Sequence, residues 1–238
     1  MDAVFFGAHP DDVELTSGGL AARLASHGHE VAIVDLTRGE AASRGSVTER
    51  ADEAASAAHE LGVAARENLE LPDLGIDGSD RGQLAAVVAC LRRHRPTLVV
   101  APHADDPHPD HVQAAQLLAS ACYVAGLARF GEGARRHRPA RLLNVLYRSG
   151  GPPQLVVDVS EVWERRMRAL ACHRSQLDPA RGPQTYLTRA GFLAEVEGRA
   201  RAWGALIGAT HGEAYCMRGP LGIFDARSLL HRPTEAAR

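Results

Sequence analysis

Through the first 130 positions, short apolar runs alternate with helical patterns of 10–15 residues. A strand that is to run parallel to its predecessor needs a crossover of about that length to return to the same end of the sheet. The alternation therefore predicts βαβ units and an α/β fold: a Rossmann-like, mainly parallel sheet with helices on both faces. Residues 3–8 read as a buried strand and 13–27 as a helix that Gly28 closes. Val31 to Leu36 read as a second strand, 48–61 as a helix ending at Gly62, Asn68 to Leu71 as a short third strand, and 80–94 as a helix. The β-branched run Thr97 to Ala101 is a fourth strand, and a helix follows from about His111 to Gly126. Beyond it, Arg141 to Tyr147 and Leu155 to Val159 suggest strands, and Glu161 to Cys172 and 188–207 suggest helices. The Gly- and Pro-rich stretch from Gly208 reads as irregular, and Gly131 to Pro139 as an insertion or mobile loop. One domain over 1–238 is expected, with a core of about 1–160 and a C-terminal elaboration of about 161–238.

Composition narrows the partner. The net charge of −2 offers no basic excess for nucleic acid or an anionic membrane, so a small molecule is expected. The opening residues Met1 to Gly7 carry no positive cluster, and their apolar run is too short for a leader or a membrane span, which predicts a cytoplasmic protein. Cys90, Cys122, Cys172 and Cys216 form no C-x-x-C pair. They read as free, buried thiols rather than a zinc finger or a disulfide framework.

Two segments carry chemistry. His9-Pro10-Asp11-Asp12 follows the first strand, and His108-Pro109-Asp110-His111 lies in the loop after the fourth. Both fall at carboxyl ends of strands, where open α/β sheets bind ligands; if strands one and four are neighbours, the loops meet at the topological switch point. A His and a second donor three residues apart at a strand–helix junction can reach one ion, and a catalytic zinc site takes three protein ligands and keeps a position for water. Three ligands with a spare carboxylate and a spare imidazole suit a hydrolase: a metal acidifies its water, a carboxylate takes the proton, and an imidazole faces the developing oxyanion. Helix capping by Asp11, Asp12 or Asp110 is the ordinary alternative for each. A dinucleotide site is disfavoured, because Gly7, Gly18 and Gly19 lack the G-x-G-x-x-G spacing.

Gly7 to Glu14 together with His108 to His111 resembles the PIG-L/LmbE-like N-acetylglucosaminyl deacetylases. The resemblance extends through Asp35-Leu36-Thr37, Gly39-Glu40, Thr48-Glu49-Arg50, Leu71 to Gly75, Ser175-Gln176 and Gly212 to Tyr215. The extended pattern is most similar to the bacillithiol-pathway branch, which acts on N-acetylglucosaminyl-malate. The resemblance implies His9, Asp12 and His111 as ligands of Zn2+, with Fe2+ or another divalent ion as alternatives. It implies Asp11 as general base, His108 as oxyanion donor and Asp110 as the residue orienting His108. Arg50, Asp73 and, less directly, Glu40 would hold the sugar. It also implies an aminosugar substrate and a homo-oligomer, often a hexamer. Where relatives often place a Tyr or Arg before the second motif, this chain has Asp106-Pro107, and Pro107 offers no side-chain donor. Tyr186, Tyr215 and His211 are the substitutes available as a gate. His103 is expected to be exposed or to sit behind the ligands, and His173 to end a helix. Arg38 and Arg44 are candidates for an anion-binding segment or for a solvated face. A mycothiol-type conjugate, an antibiotic aminosugar, or a non-catalytic sugar- or nucleotide-binding module are the competing readings.

Overall fold

The computed structural model describes residues 1–130, 135–148, 151–223, 225 and 226. One seven-stranded sheet organises them. Its strands are β1 (Ala3–Gly7), β2 (Val31–Thr37), β3 (Ala65–Leu71), β4 (Leu98–Ala101), β5 (Arg141–Val145), β6 (Leu155–Asp158) and β7 (Gly212–Met217). Their order is β3-β2-β1-β4-β5-β7-β6. The first five are parallel, and β7 is antiparallel to both β5 and β6. The expected mainly parallel α/β sheet is the fold observed.

Helices α1 (Asp12–Thr16), α2 (Gly18–Ser26), α3 (Val47–Leu61), α4 (Arg81–His94), α5 (Pro109–Val124), α6 (Trp163–Ala171), α7 (Arg174–Leu177) and α8 (Phe192–Ala205) complete the chain. Every residue of β1 and β2 is buried, as strands covered on both faces require. Successive side chains alternate between faces. Phe5 and Ile33 join Trp163, Leu170 and Tyr215 in one core, while Phe6 and Val34 join Leu91 and Leu117 in the other. Helix ends follow local chemistry. Ser46 caps α3 by accepting the Glu49 N–H, Asp80 caps α4 by accepting the Gln83 N–H, and Gly62 closes α3 in the left-handed region.

The sheet departs from the sequence reading in its last third. The stretch from Gly208, read as irregular, contains β7, whose pattern is broken by Gly212 and by the buried Glu213. Gly212 is required there: a Cβ would lie 2.7 Å from the Gly204 nitrogen and 2.8 Å from Val156. Residues 13–27 form two helices separated at Ser17 rather than one. β3 begins at Ala65 and the last helix at Phe192. Cys90 and Cys122 are buried, whereas Cys172 and Cys216 are only half-buried, so core packing does not describe all four. The expectation for 131–139 falls partly on residues 131–134, outside those described. No helix among the described residues is long and apolar enough to cross a membrane.

Candidate metal and catalytic site

β1 and β4 are adjacent, with β2 on the far side of β1 and β5 on the far side of β4. Chain direction around the sheet reverses between them, so the loops leaving their carboxyl ends face one crevice. The first motif leaves β1 and enters α1; the second leads from β4 into α5. A cleft of about 320 Å³ lies over this point, lined by residues of both motifs together with Arg50, Asp73, Asp106, Tyr147, Arg148, Gln176 and Tyr186. That is the lower end of the usual small-molecule range.

Three imidazoles meet there. The rings of His9 and His108 lie 4.8 Å apart, those of His108 and His111 4.9 Å, and those of His9 and His111 5.7 Å. One nitrogen from each can be chosen so that all three lie within 4.8 Å of one another. Asp12 sits between two of them: its Oδ2 is 3.4 Å from His9 Nδ1 and its Oδ1 is 3.2 Å from His111 Nε2. The His9 N–H also donates to Asp12 Oδ2 at 2.8 Å, which fixes the carboxylate against the turn. Imidazole nitrogens and a carboxylate oxygen are donors that suit zinc and also iron(II).

The far nitrogens of two rings are held. His9 Nε2 lies 3.1 Å from Asp110 Oδ2 and 3.2 Å from Asp73 Oδ1, while His111 Nδ1 lies 3.1 Å from Asp106 Oδ1. Such carboxylates select the tautomer, leaving Nδ1 of His9 and Nε2 of His111 free on the side of Asp12. The charges follow. Burial opposes a charge on His9, but hydrogen bonds to Asp110, Asp12 and Asp73 hold its pKa well above the ordinary value. Burial likewise opposes His111, yet Asp12 and Asp106 lift it to about 10. Asp12 is held well below the carboxylate range despite burial, chiefly by His111. Four carboxylates facing two imidazoles make a site built for positive charge.

Asp11 differs from its neighbours. Its backbone φ of 135° lies where L side chains are rarely found, and it makes no capping hydrogen bond although it stands at the start of α1. Strain of this kind gathers at functional turns. The residue is 5% exposed, and its Oδ1 lies 3.5 Å from Arg50 Nη2. Burial raises its pKa to about 6 against the opposing pull of Arg50. Arg50 is itself locked, donating to Gly39 O at 3.1 Å and Pro10 O at 2.9 Å. Gly39 permits this, since a Cβ there would sit 1.9 Å from Arg50 Nη1.

Several residues stand in places the sequence did not suggest. The Asp110 carboxylate accepts from the Leu74 N–H and faces His9; toward His108 the residue presents its backbone N–H, 3.3 Å from Nδ1. His108, not Asp110, occupies the N-cap of α5. Burial and the neighbouring His9 and His111 charges lower the His108 pKa. Asp73 turns to His9 and to the Ala41 N–H, and the His9 hydrogen bond lowers its pKa to about 2. Glu40 is exposed and accepts the Asp73 N–H at 3.0 Å without lining the cleft. Of the three candidate gates, Tyr186 lines the cleft. Tyr215 is fully buried and bonded to Glu213, and His211 stacks on Trp163 at 4.3 Å. Arg44 is buried, with its guanidinium donating to the carbonyls of Ser175, Pro183 and Asp178. His103 Nδ1 accepts the Asp105 N–H away from the cleft. His173 is completely buried, 3.3 Å from Glu14.

Asp106, Tyr147 and Arg148 are site residues that sequence reasoning missed. Asp106 was read as a lost gate; its spacing of five before His111 was the available signal. Arg148 lines the cleft, stacks 4.2 Å over the Tyr186 ring, and has no carboxylate partner among the described residues.

The PIG-L family model, described as GlcNAc-PI de-N-acetylase, matches residues 4–122. The diacetylchitobiose deacetylase of Thermococcus kodakarensis is 29% identical over 180 residues, spanning 71% of this chain and 67% of that protein. The 1D-myo-inositol 2-acetamido-2-deoxy-alpha-D-glucopyranoside deacetylase of Rhodococcus erythropolis is 32% identical over 158 residues, 52% of this chain and 54% of that protein. The match thus spans between half and two thirds of these relatives' length. Among solved structures, the conserved protein TT1542 of Thermus thermophilus superposes with a TM-score of 0.85 at 32% identity, covering 95% of this chain and 97% of that one.

Proposed function

This chain belongs to the PIG-L family, and from that premise we propose that it is a metal-dependent hydrolase removing the N-acetyl group from a glucosaminyl conjugate. The observation that carries the reading is the pairing, in one cleft, of a metal-competent His/Asp cluster with a strained, buried carboxylate, Asp11, whose pKa is raised to about 6. A binding module has no use for that combination. His9, Asp12 and His111 would hold the ion, zinc or another divalent metal. When bound, such an ion polarises an amide carbonyl and acidifies its water.

The chain's own residues supply the rest. Asp11 accepts the proton of the attacking water and returns it to the departing amine nitrogen, so the amide C–N bond breaks to acetate and free amine. Because His108 Nδ1 faces the Asp110 N–H, the neutral ring carries its proton on Nε2 and can donate it to an oxyanion. Arg50 holds Asp11 in place through the Pro10 and Gly39 carbonyls and offers its lining surface to sugar hydroxyls.

N-acetylglucosaminyl-malate remains our leading substrate. Its carboxylates would find in Arg148 a cleft guanidinium with no carboxylate partner among the described residues, whereas Arg44, one candidate for that purpose, donates to backbone carbonyls. The named activity of the Rhodococcus relative favours a second reading, a neutral inositol conjugate. Acetate release from malate-, inositol- and N-acetylglucosamine-only substrates separates them. No acetate from any of the three, with metal supplied, would refute the deacetylase reading. His111→Ala should abolish metal binding at this site while His108→Ala retains it. The reverse result would make His108 the ligand in place of His111.

A further inference from the structure

A second cluster of metal-competent donors lies far from the cleft. Cys90 and His94 are four residues apart, on one face of the last turns of α4, and Glu67 projects toward them from the edge strand β3. Glu67 Oε1 is 3.2 Å from Cys90 Sγ and 2.8 Å from His94 Nε2. One sulfur, one nitrogen and one oxygen thus lie within 4.8 Å of one another. The His94 carbonyl accepts the amino terminus of Met1 at 3.0 Å, which places this end of α4 at the amino ends of the strands. The catalytic motifs leave the carboxyl ends, so the two clusters occupy opposite ends of the sheet.

We propose that Glu67, Cys90 and His94 form a second binding site for a thiophilic divalent cation of the zinc class. The donor chemistry is the first argument: thiolate, imidazole and carboxylate are the three side chains zinc takes. The spacing is the second. A tetrahedral ion at ordinary bond lengths holds its donors about 3.4–3.7 Å apart; the observed 2.8 and 3.2 Å contacts need to open by well under 1 Å, and the Cys90–His94 pair already lies within 4.8 Å. The backbone is the third, because two donors ride on a helix and one on a hydrogen-bonded strand, which holds the set in register. Arg93 presently caps the outward side, its Nη2 donating to both Glu67 oxygens at 2.7 and 2.8 Å. That side chain is half exposed, and an exposed ion pair of this sort is worth at most about 1 kcal/mol, so the guanidinium can withdraw to leave the fourth position to water. On binding, the Cys90 thiol proton leaves to solvent, and the proton that His94 Nε2 donates to Glu67 moves to Nδ1 by exchange with solvent, which frees Nε2 for the ion. Burial pushes the thiol pKa up, so affinity rises with pH. The ion would clip the edge strand β3 to α4.

Titration of the metal-free full-length protein with Co2+ tests this. Thiolate ligation gives a near-ultraviolet charge-transfer band that the sulfur-free cleft cannot produce. The wild type should show that band and bind one equivalent more than the cleft alone. Cys90→Ser and the milder His94→Gln should each lose the band and one equivalent; His111→Ala should lose the other equivalent and keep the band. His94→Gln serves if the Cys90 variant fails to fold, since His94 is partly solvent-facing. No charge-transfer band in the wild type, or a band that survives Cys90→Ser or His94→Gln, would overturn the proposal. Loss of cleft binding in His111→Ala leaves it standing, so the two sites are judged separately.

Discussion

At the scale of single residues, the site depends on which nitrogen of each imidazole is left free. His9 and His111 are fixed by opposite nitrogens, Nε2 against Asp110 and Asp73, Nδ1 against Asp106. Removing such a partner weakens metal binding by about 10- to 100-fold. Asp106→Asn should therefore raise the metal dissociation constant by that factor, measured by chelator competition, while the metal-saturated variant keeps most of its acetate release. An unchanged affinity would show that Asp106 only orders the loop through the His108 N–H, which it accepts at 2.8 Å. Asp11→Asn should do the opposite, binding metal like the wild type and losing about 100- to 10,000-fold in rate. His108→Ala should keep metal and lose about 100- to 1000-fold in kcat. These residue types were legible because His/Asp pairs at strand ends are few. Their partners were not, because Asp73, in the turn after β3, and Asp110, in the first turn of α5, reach His9 from 64 and 101 positions away.

At the scale of elements, a buried charge network ties the helix that carries Asp12 to the sheet. Arg66 on β3 donates to Glu14 on α1 at 2.6 Å and to both Asp35 oxygens on β2 at 2.8 and 2.9 Å. Glu14 is fully buried; Arg66 and then His173 pull its pKa from 4.5 down to about 2 against the cost of burial. A carboxylate whose folded pKa is depressed adds stability above its unfolded value and loses it as pH falls. The contribution of Glu14 is thus complete above about pH 4.5 and gone near pH 2, on the order of 3 kcal/mol. Unfolding free energies of Glu14→Gln should show a shallower fall across that window than the wild type; parallel curves would refute the assignment. The sequence reading ran one helix through this region. The break at Ser17 goes with a tertiary cap on the start of α2, where Glu213 accepts the Gly19 N–H at 2.7 Å and the Leu20 N–H at 2.8 Å.

At the scale of the molecule, Glu213 joins the two ends of the chain. Besides capping α2 it accepts the Tyr215 hydroxyl at 2.8 Å and lies 3.3 Å from Arg166 Nε, all buried. Glu213→Ala would strip a buried guanidinium of its carboxylate and two helix N–H groups of their acceptor. A loss of about 3–5 kcal/mol is expected, read as a fall in Tm of roughly 10 °C; a change under about 1 kcal/mol would show the strand is held by packing alone. The sequence by itself determined the βαβ half, because two-face burial writes continuous apolar runs and crossover helices write a 3.6-residue period. It also determined the two His/Asp motifs, because they sit next to strands whose ends are marked by that pattern. Only the tertiary structure decided that β7 inserts antiparallel between β5 and β6, since a strand carrying Gly212 and Glu213 has no apolar signature until Gly204 and Arg166 lie against it. Only it decided which carboxylate serves which imidazole, because a hydrogen bond of about 3 Å depends on loop geometry that residue spacing does not encode.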